Sequence, residues 1–442
     1  MSTYSTYKTS GIEWLGDIPH NWEVNRLKNM LRRKVTDGPH ETPEFTDDGI
    51  PFLSVDGIQE GQLVFEDCRF ISKSDHLKYQ QKVIVEKGDV LMGKAASTGK
   101  IAQVKTDLEF NVWSPLAIIK PTLNRLIPTY LEYCLKSYPG QIQIDLLCTS
   151  NTQKNISMDD IPKIILPEPS YNEQTAIANY LDEKTSKLDQ LISNKKAQIE
   201  KLKEIRQIEI NTAVTKGLDP NVKLKPSGKE WLGDIPEHWG LKTLKKFGRL
   251  LGGYAFKSEV FLEEGPVKVL KITNIQTMSI IWEDIEYVED IYYNAFNDYS
   301  VRNGDLVFAL TRPIISTGIK AAIANILKDE KILINQRTAV FKPSRLLLPS
   351  YLYYVVLSDS FFQDFRLKIK TTNQPNISTE DIGRIKIAVP PEEEQRVIAN
   401  YLDEKTSKLD KLVNNLENQI ERLEEVRKIE IYNAVTGKIK TD

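Results

Sequence analysis

The 442-residue chain has only three cysteines and four histidines, and no apolar run near the roughly 20 residues that a membrane span requires. Cys68, Cys134 and Cys148 are odd in number and sit in apolar or mixed surroundings. They read as reduced thiols in a cytosolic protein rather than a disulfide framework. The first residues, MSTYSTYKTSGIEW, lack a charged stretch followed by an apolar one, so no signal peptide is expected and the expected location is cytoplasmic. Neither sign of charge is in excess: 59 Lys and Arg stand against 61 Asp and Glu, a net charge of −2. A chain basic throughout is excluded, although the same cations gathered on one face would still serve a nucleic acid. No tract is of low complexity, and the length suffices for two or three domains with real cores.

Catalytic chemistry is equally scarce. Gly93–Ile101, GKAASTGKI, resembles a phosphate loop but has five residues between its glycines instead of four, and Ile101 where magnesium needs Ser or Thr. The Pro390-Pro391 pair lacks the preceding Asp or Asn and the following aromatic with which an amino-methyltransferase holds a flipped base. His20, His40, His76 and His238 have no Cys or carboxylate at ligand spacing, and no metal site is expected. His20 and His238 lie beside Trp22 and Trp239, which suggests packing. Asp182-Glu183-Lys184 reads as the solvated face of a helix. No Ser/His/Asp arrangement stands out.

What the chain does have is a repeat. Ile177–Asp189 and Ile398–Asp410 carry the same thirteen letters, IANYLDEKTSKLD, displaced by half the chain (398 − 177 = 221). Each copy opens about 40 residues whose apolar positions step by four and three. The seam reads Leu181, Leu188, Ile192, Ile199 and Leu202 in the first, and Leu402, Leu409, Val413, Leu416, Ile420 and Leu423 in the second. This is a coiled-coil stripe. A helix of about 40 residues is about 60 Å long, so two of them pack most simply on each other as a spacer. Lys195 interrupts the first seam, either reaching past it to water or fixing register.

The duplication extends further. Ser10–Pro19, SGIEWLGDIP, returns as Ser227–Pro236, SGKEWLGDIP, and Asn155-Ile156-Ser157 returns as Asn376-Ile377-Ser378. Between such anchors the halves diverge, which reads as one scaffold carrying two separately specified sites. The variable blocks, roughly Leu27–Pro169 and Leu244–Pro391, predict an α+β fold. Strand-like runs are Val83–Val85, Val90–Met92, Leu116–Ile119, Val267–Ile272, Leu306–Leu310 and Thr338–Phe341, with Gly88-Asp89 and Gly304-Asp305 before matched strands. Short helices are predicted at Tyr130–Leu135 and Tyr351–Leu357. Ser170 with Glu173 has capping-box spacing, Glu392–Glu394 suit a helix start, and Gly217 and Gly437 suit C-caps. If the halves are pseudo-symmetric, Trp14 should pack near Ile431–Val435 and close the chain into a ring.

Taken together, the two thirteen-residue copies, the Glu173-Gln174 and Glu394-Gln395 pairs, the Asn-Ile-Ser motifs, Thr42–Leu53 and the Gly-Asp strand starts make the chain resemble the specificity subunit of type I restriction–modification enzymes, over essentially its whole length. The resemblance implies two similar α/β target recognition domains, separated by two long antiparallel coiled-coil helices in an internal pseudo-two-fold repeat. The expected divisions are 1–170 and 218–391 for opening segments with recognition domains, and 171–217 and 392–442 for the spacer helices. Each domain would read one half of an interrupted target in double-stranded DNA, with half-site centres about one turn, roughly 10 bp, apart. The subunit itself would have no catalytic activity and bind no cofactor. It would dock two modification subunits carrying S-adenosylmethionine, and restriction subunits using ATP and magnesium would complete the nuclease.

Polar and basic residues on turns are the candidate DNA contacts, since Asn and Gln can pair with adenine and lysines hold phosphates. In the first block these are His40, Lys94, Ser97, Thr98, Lys100, Thr149, Ser150, Asn151, Gln153 and Lys154. In the second they are Tyr254, Lys257, Arg312, Ser316, Thr317, Lys320, Thr371, Thr372, Asn373 and Gln374. A coiled-coil adaptor whose domains bind proteins, and an enzyme with an unrecognised site, are the competing expectations. An adaptor would not need matched polar turns, and an enzyme should act alone.

Overall fold

The computed structural model describes residues 2–149, 154–327, 329–370 and 374–441. The chain divides into two compact units, Met1–Lys196 with Glu417–Asp442, and Ala197–Leu416. Each holds one variable block, part of the long helix Tyr171–Lys216 and part of the long helix Glu392–Val435.

In the first unit a four-stranded antiparallel sheet runs in the order Ile101–Gln103, Val90–Gly93, Leu116–Ile119, Thr36–Asp37. Its central strands are apolar on both faces because both faces are covered. Val90, Met92, Ala117 and Ile119 turn to the core shared with the helices, while Leu91, Leu116 and Ile118 turn to a second core. A smaller sheet pairs Ile50–Leu53 in parallel with Asn111–Val112 and antiparallel with Arg69–Ile71, which in turn pairs Phe45–Thr46. The predicted strand Val83–Val85 pairs with no strand among the described residues: Val83 fills the second core and Val85 packs against it.

The second unit repeats the design. Gly248–Gly252, Thr338–Pro343, Leu306–Ala309 and Ala321–Ile323 form its antiparallel sheet, and Val267–Leu270 pairs in parallel with Lys331–Ile334. The Gly-Asp pairs start matched strands for a physical reason. Gly88 and Gly304 take φ +92 and +86, and the following Asp carboxylate accepts the N–H three residues back, Glu86 or Arg302, at 2.8 Å. Each Asp also pairs with a lysine, Lys120 just after the neighbouring strand or Lys342 within it. The predicted short helices form as Pro128–Lys136 and Pro349–Leu357, each opened by its proline.

The long helices run antiparallel where they meet inside each unit. In the first, Tyr180 donates to Glu430 at 2.7 Å and Arg427 lies 2.6 Å from Asp189. In the second, Tyr401 donates to Glu209 at 2.8 Å and Arg206 lies 3.3 Å from Asp410. None of the named seam residues is exposed. Lys195 stays at the seam and donates to Gln419, so it meets a polar partner instead of running out to water.

The repeated thirteen residues serve more than the seam. Tyr133 donates to Asp182 at 2.7 Å and lies 3.0 Å from Thr185; Tyr354 meets Asp403 and Thr406 at 2.6 and 3.2 Å. Asp182 is thus a fixed partner of the helix Pro128–Lys136, not merely part of a solvated face.

The Glu-Gln pairs are explained the same way. Gln174 is buried, accepts the Ile127 N–H at 3.0 Å and donates to the Arg125 and Pro169 carbonyls. Gln395 does the same with Leu348, Leu346 and Pro390. Glu173 and Glu394 accept the indole N–H of buried Trp22 and Trp239 at 3.2 and 3.0 Å. His20 and His238 are exposed; His238 sits edge-on to Trp239, with ring centroids 6.4 Å apart, and lies 2.7 Å from Glu394.

The opening segment closes on the end of the second long helix. Trp14 packs against the core that includes Ile431, Ala434 and Val435, Tyr7 donates to the Gly437 carbonyl at 3.0 Å, and Lys438 donates to that of Asp17 at 2.6 Å. Gly437, at φ +69, leaves no room for a side chain, since a Cβ would meet Pro19 at 2.4 Å. In the second unit Gly217 stands likewise against Trp239.

Glu173 ties this network to pH. Burial disfavours its charge, but bonds from Ser170, Trp22 and Asn21 outweigh burial and hold its carboxyl below the ordinary value of 4.5. Its folded pKa is depressed, so its contribution is present above that value and lost as pH falls through the folded pKa. Thermal unfolding followed from pH 6 down to about 3 should therefore show Glu173→Gln less acid-sensitive than the parent below about pH 4.5. Parallel curves would contradict it.

Candidate nucleic-acid interface

The sheet register sets where the candidate residues fall. In the first unit Gly93 pairs with Leu116, Asp37 with Ala117, and Met92 with Ile101. The segments after Asp37, after Gly93 and before Leu116 therefore emerge at one end of the sheet. Backbone bonds join them there: Lys94 N–H to Pro115 at 2.8 Å, Ser114 N–H to Pro39 at 3.1 Å, and Ile156 N–H to Lys94 at 2.9 Å. Thr98 fastens the turn to the last segment by donating to the Lys154 carbonyl at 2.6 Å. Gly38 is required at the crossing because a Cβ would lie 1.7 Å from the Val112 carbonyl oxygen.

The side chains at this end differ in availability. Asp37 is fully buried and draws in Lys82 at 2.6 Å and Lys94 and His40 at 3.2 Å each. Lys94 is largely covered, whereas His40 keeps most of its ring in solvent. Lys154 pairs with Asp145 at 2.8 Å, and Thr149 bonds the Asn155 carbonyl. Lys100 is exposed, and Ser97 is half-buried.

The second unit brings its segments together by the same rule. Ala309 pairs with Thr338, Gly252 with Ala339, and Phe308 with Ala321. Leu310 N–H bonds Arg337, Gly253 N–H bonds Thr338, Tyr254 N–H bonds Ile334, and Arg312 N–H bonds Pro375. The Ile377 N–H to Leu310 bond repeats Ile156 to Lys94. The two halves thus build the same end from unlike sequences.

Not every candidate there faces outward. The Tyr254 ring stacks on Phe296 at 3.9 Å within an aromatic cluster. Lys320 is half-buried and donates to the Ile272 carbonyl at 2.6 Å, and burial pushes its pKa down. Thr317 meets Thr277 at 2.9 Å. Arg312, Ser316, Lys257 and Gln374 are exposed. Ser150, Asn151, Gln153, Thr371, Thr372 and Asn373 lie outside the described residues.

Sequence reasoning missed the segments Trp113–Pro115 and Asn335–Arg337, which complete each end. The polar Asn-Gln-Arg between two apolar runs was the available signal in the second block. Thr277 was missed as well, since nothing local links it to Thr317. Among the described residues no group of His, Cys, Asp and Glu is placed to hold a metal ion, and no helix is long and apolar enough to cross a membrane.

Comparison with known proteins adds the following. A family model described as the type I restriction modification DNA specificity domain matches residues 19–201 and again 236–422. The type I restriction enzyme MjaVIII specificity subunit of Methanocaldococcus jannaschii is 28% identical over 428 residues, covering 96% of this chain and 94% of that protein. The EcoKI specificity subunit of Escherichia coli K12 is 23% identical over 437 residues, covering 96% and 90%. A chain from a solved type I R-M system, studied for its complex assembly and conformational transition, superposes with a TM-score of 0.70 at 14% identity, over 96% of this chain and 99% of that one. That likeness concerns the fold.

Proposed function

Since the chain belongs to the type I restriction–modification DNA specificity family, as a non-catalytic specificity subunit, we propose that its two units each read one half of an interrupted DNA target. The target recognition domains in this reading span 1–170 and 218–391. The helices at 171–217 and 392–442 set the gap between the half-sites. The observation that carries it is the sheet end built twice from four converging segments, with the same backbone bonds and different side chains. One scaffold with two unlike faces suits two unlike half-sites, contacted by phosphate-holding cations and by base-reading polar side chains. S-adenosylmethionine, ATP and magnesium belong in this reading to partner subunits.

The helices also carry exposed apolar residues in pairs displaced by 221: Leu191 with Leu412, Ile205 with Val426, and Ile208 with Ile429. Each unit holds one such trio, and single exposed leucines are ordinary but matched trios are not. The trios are the docking points for two copies of a modification subunit. Leu191→Glu with Val426→Glu should reduce the modification subunits bound per chain from two to one in native mass spectrometry; two still bound at full affinity would refute the assignment.

Methylome sequencing of a host lacking the gene tests the whole reading. A motif with two unlike halves, appearing only when this chain and its modification partner are supplied together, supports it, and exchanging one variable block should replace one half. No motif from an assembled complex would favour the protein-binding adaptor.

A further inference from the structure

Two arginines at one sheet end of the second unit take a backbone conformation that arginine disfavours. Arg312 has φ +46 and Arg337 φ +67, the left-handed region where glycine is at ease and a Cβ is crowded. Both are locked by the sheet end. The Leu310 N–H to Arg337 carbonyl bond, 2.8 Å, extends the pairing of Ala309 with Thr338, and the Arg312 N–H bonds the Pro375 carbonyl at 2.8 Å. Both side chains are exposed. Among the described residues neither guanidinium has a hydrogen-bond or ion-pair partner, while other cations of the unit such as Lys342 and Lys368 are paired.

The first unit shows that the fold does not ask for arginine here. Ala96 follows Gly93 by three residues, as Arg312 follows Ala309, and it is exposed at φ +62. Pro115 accepts the Lys94 N–H where Arg337 accepts that of Leu310. The backbone bonds of the corner therefore repeat and Ala96 shares the conformation of Arg312, while Pro115, whose ring holds φ negative, replaces Arg337; the arginines are particular to the second unit. Glycine would make the corner with less strain, so the side chains serve something outside the chain. A planar guanidinium with a fork of donors matches the O6 and N7 of guanine.

We propose that Arg337 is a specificity-determining residue, acting beside Arg312, which reads a guanine in the half-site of the second unit through a contact that the first unit lacks. This rests on the DNA-reading function proposed above. The test is Arg337→Gly, with Arg312→Gly alongside, in the assembled complex with its modification subunits. Glycine takes a positive φ freely, so the melting temperature should stay level or rise, which separates lost recognition from lost folding. Binding is measured to the cognate duplex and to duplexes substituted at each pair of both half-sites. Arg337→Gly should weaken cognate binding about 10- to 100-fold and erase discrimination at one G·C pair of the second half-site, with the first half-site unchanged. Unchanged binding, or weakening equal for every sequence as from a lost phosphate contact, would overturn the proposal. A parent complex with no preference for a bipartite target would instead overturn the function on which it rests.

Discussion

Inserting one heptad into each long helix should widen the gap in the recognised sequence by about three base pairs and leave the letters of both halves unchanged. Seven helical residues add about 10 Å, and a base pair spans about 3.4 Å. The insertions belong near Lys196 and Leu416, where the two compact units divide. A heptad keeps the seam in phase, so Leu181, Leu188, Ile192, Ile199 and Leu202 would still face their partners. Insertion in one helix alone breaks the pairing and should abolish modification. Methylome sequencing reads the result directly, and an unchanged gap in the double insertion would end the spacer reading.

The second large effect concerns Trp22 and Trp239. Each is almost fully buried, lies against the C-cap glycine of a long helix, and donates its indole N–H to the glutamate that begins the other one. Truncation removes one of the largest side chains of its core and takes one hydrogen-bond donor from the glutamate. Trp239→Ala should cost about 3–5 kcal/mol. For a unit of this size that lowers the melting transition by on the order of 10 °C. Scanning calorimetry should show the affected unit unfolding first, with Trp22→Ala and Trp239→Ala moving different transitions. A loss under about 1 kcal/mol would mean that the tryptophans do not hold the helix ends.

Several features were legible because their cause is local. Apolar spacing announced the seam, Ser170 and Glu173 announced a cap that forms through bonds of 3.1 and 3.3 Å, and Gly217 and Gly437 announced the helix ends. The Gly-Asp pairs announced matched strand starts. Val83–Val85 misled because an apolar run shows burial, and burial needs no partner strand.

The interface was only partly legible for a related reason. Lys94, Thr98 and Arg312 fall at the converging sheet ends as their turns suggested, but the strand pairing that brings Arg337 to Leu310 joins residues 27 apart (337 − 310 = 27). Tyr254 looked like a free aromatic, yet its ring is spent on Phe296. Lys320 looked like a free cation and is a half-buried brace bonded to the Ile272 carbonyl.

By itself the sequence determined the duplication, the two long helices, the α+β character of each block and the family to which these belong, because periodicity, caps and repeated letters act over a few residues. Only the tertiary structure decided that Asp182 and Thr185 hold Tyr133, that Gln174 anchors the chain before Pro128, and which turns meet at each sheet end. Those partners lie tens of residues apart along the chain, and hydrogen bonding between distant segments leaves no mark in local spacing.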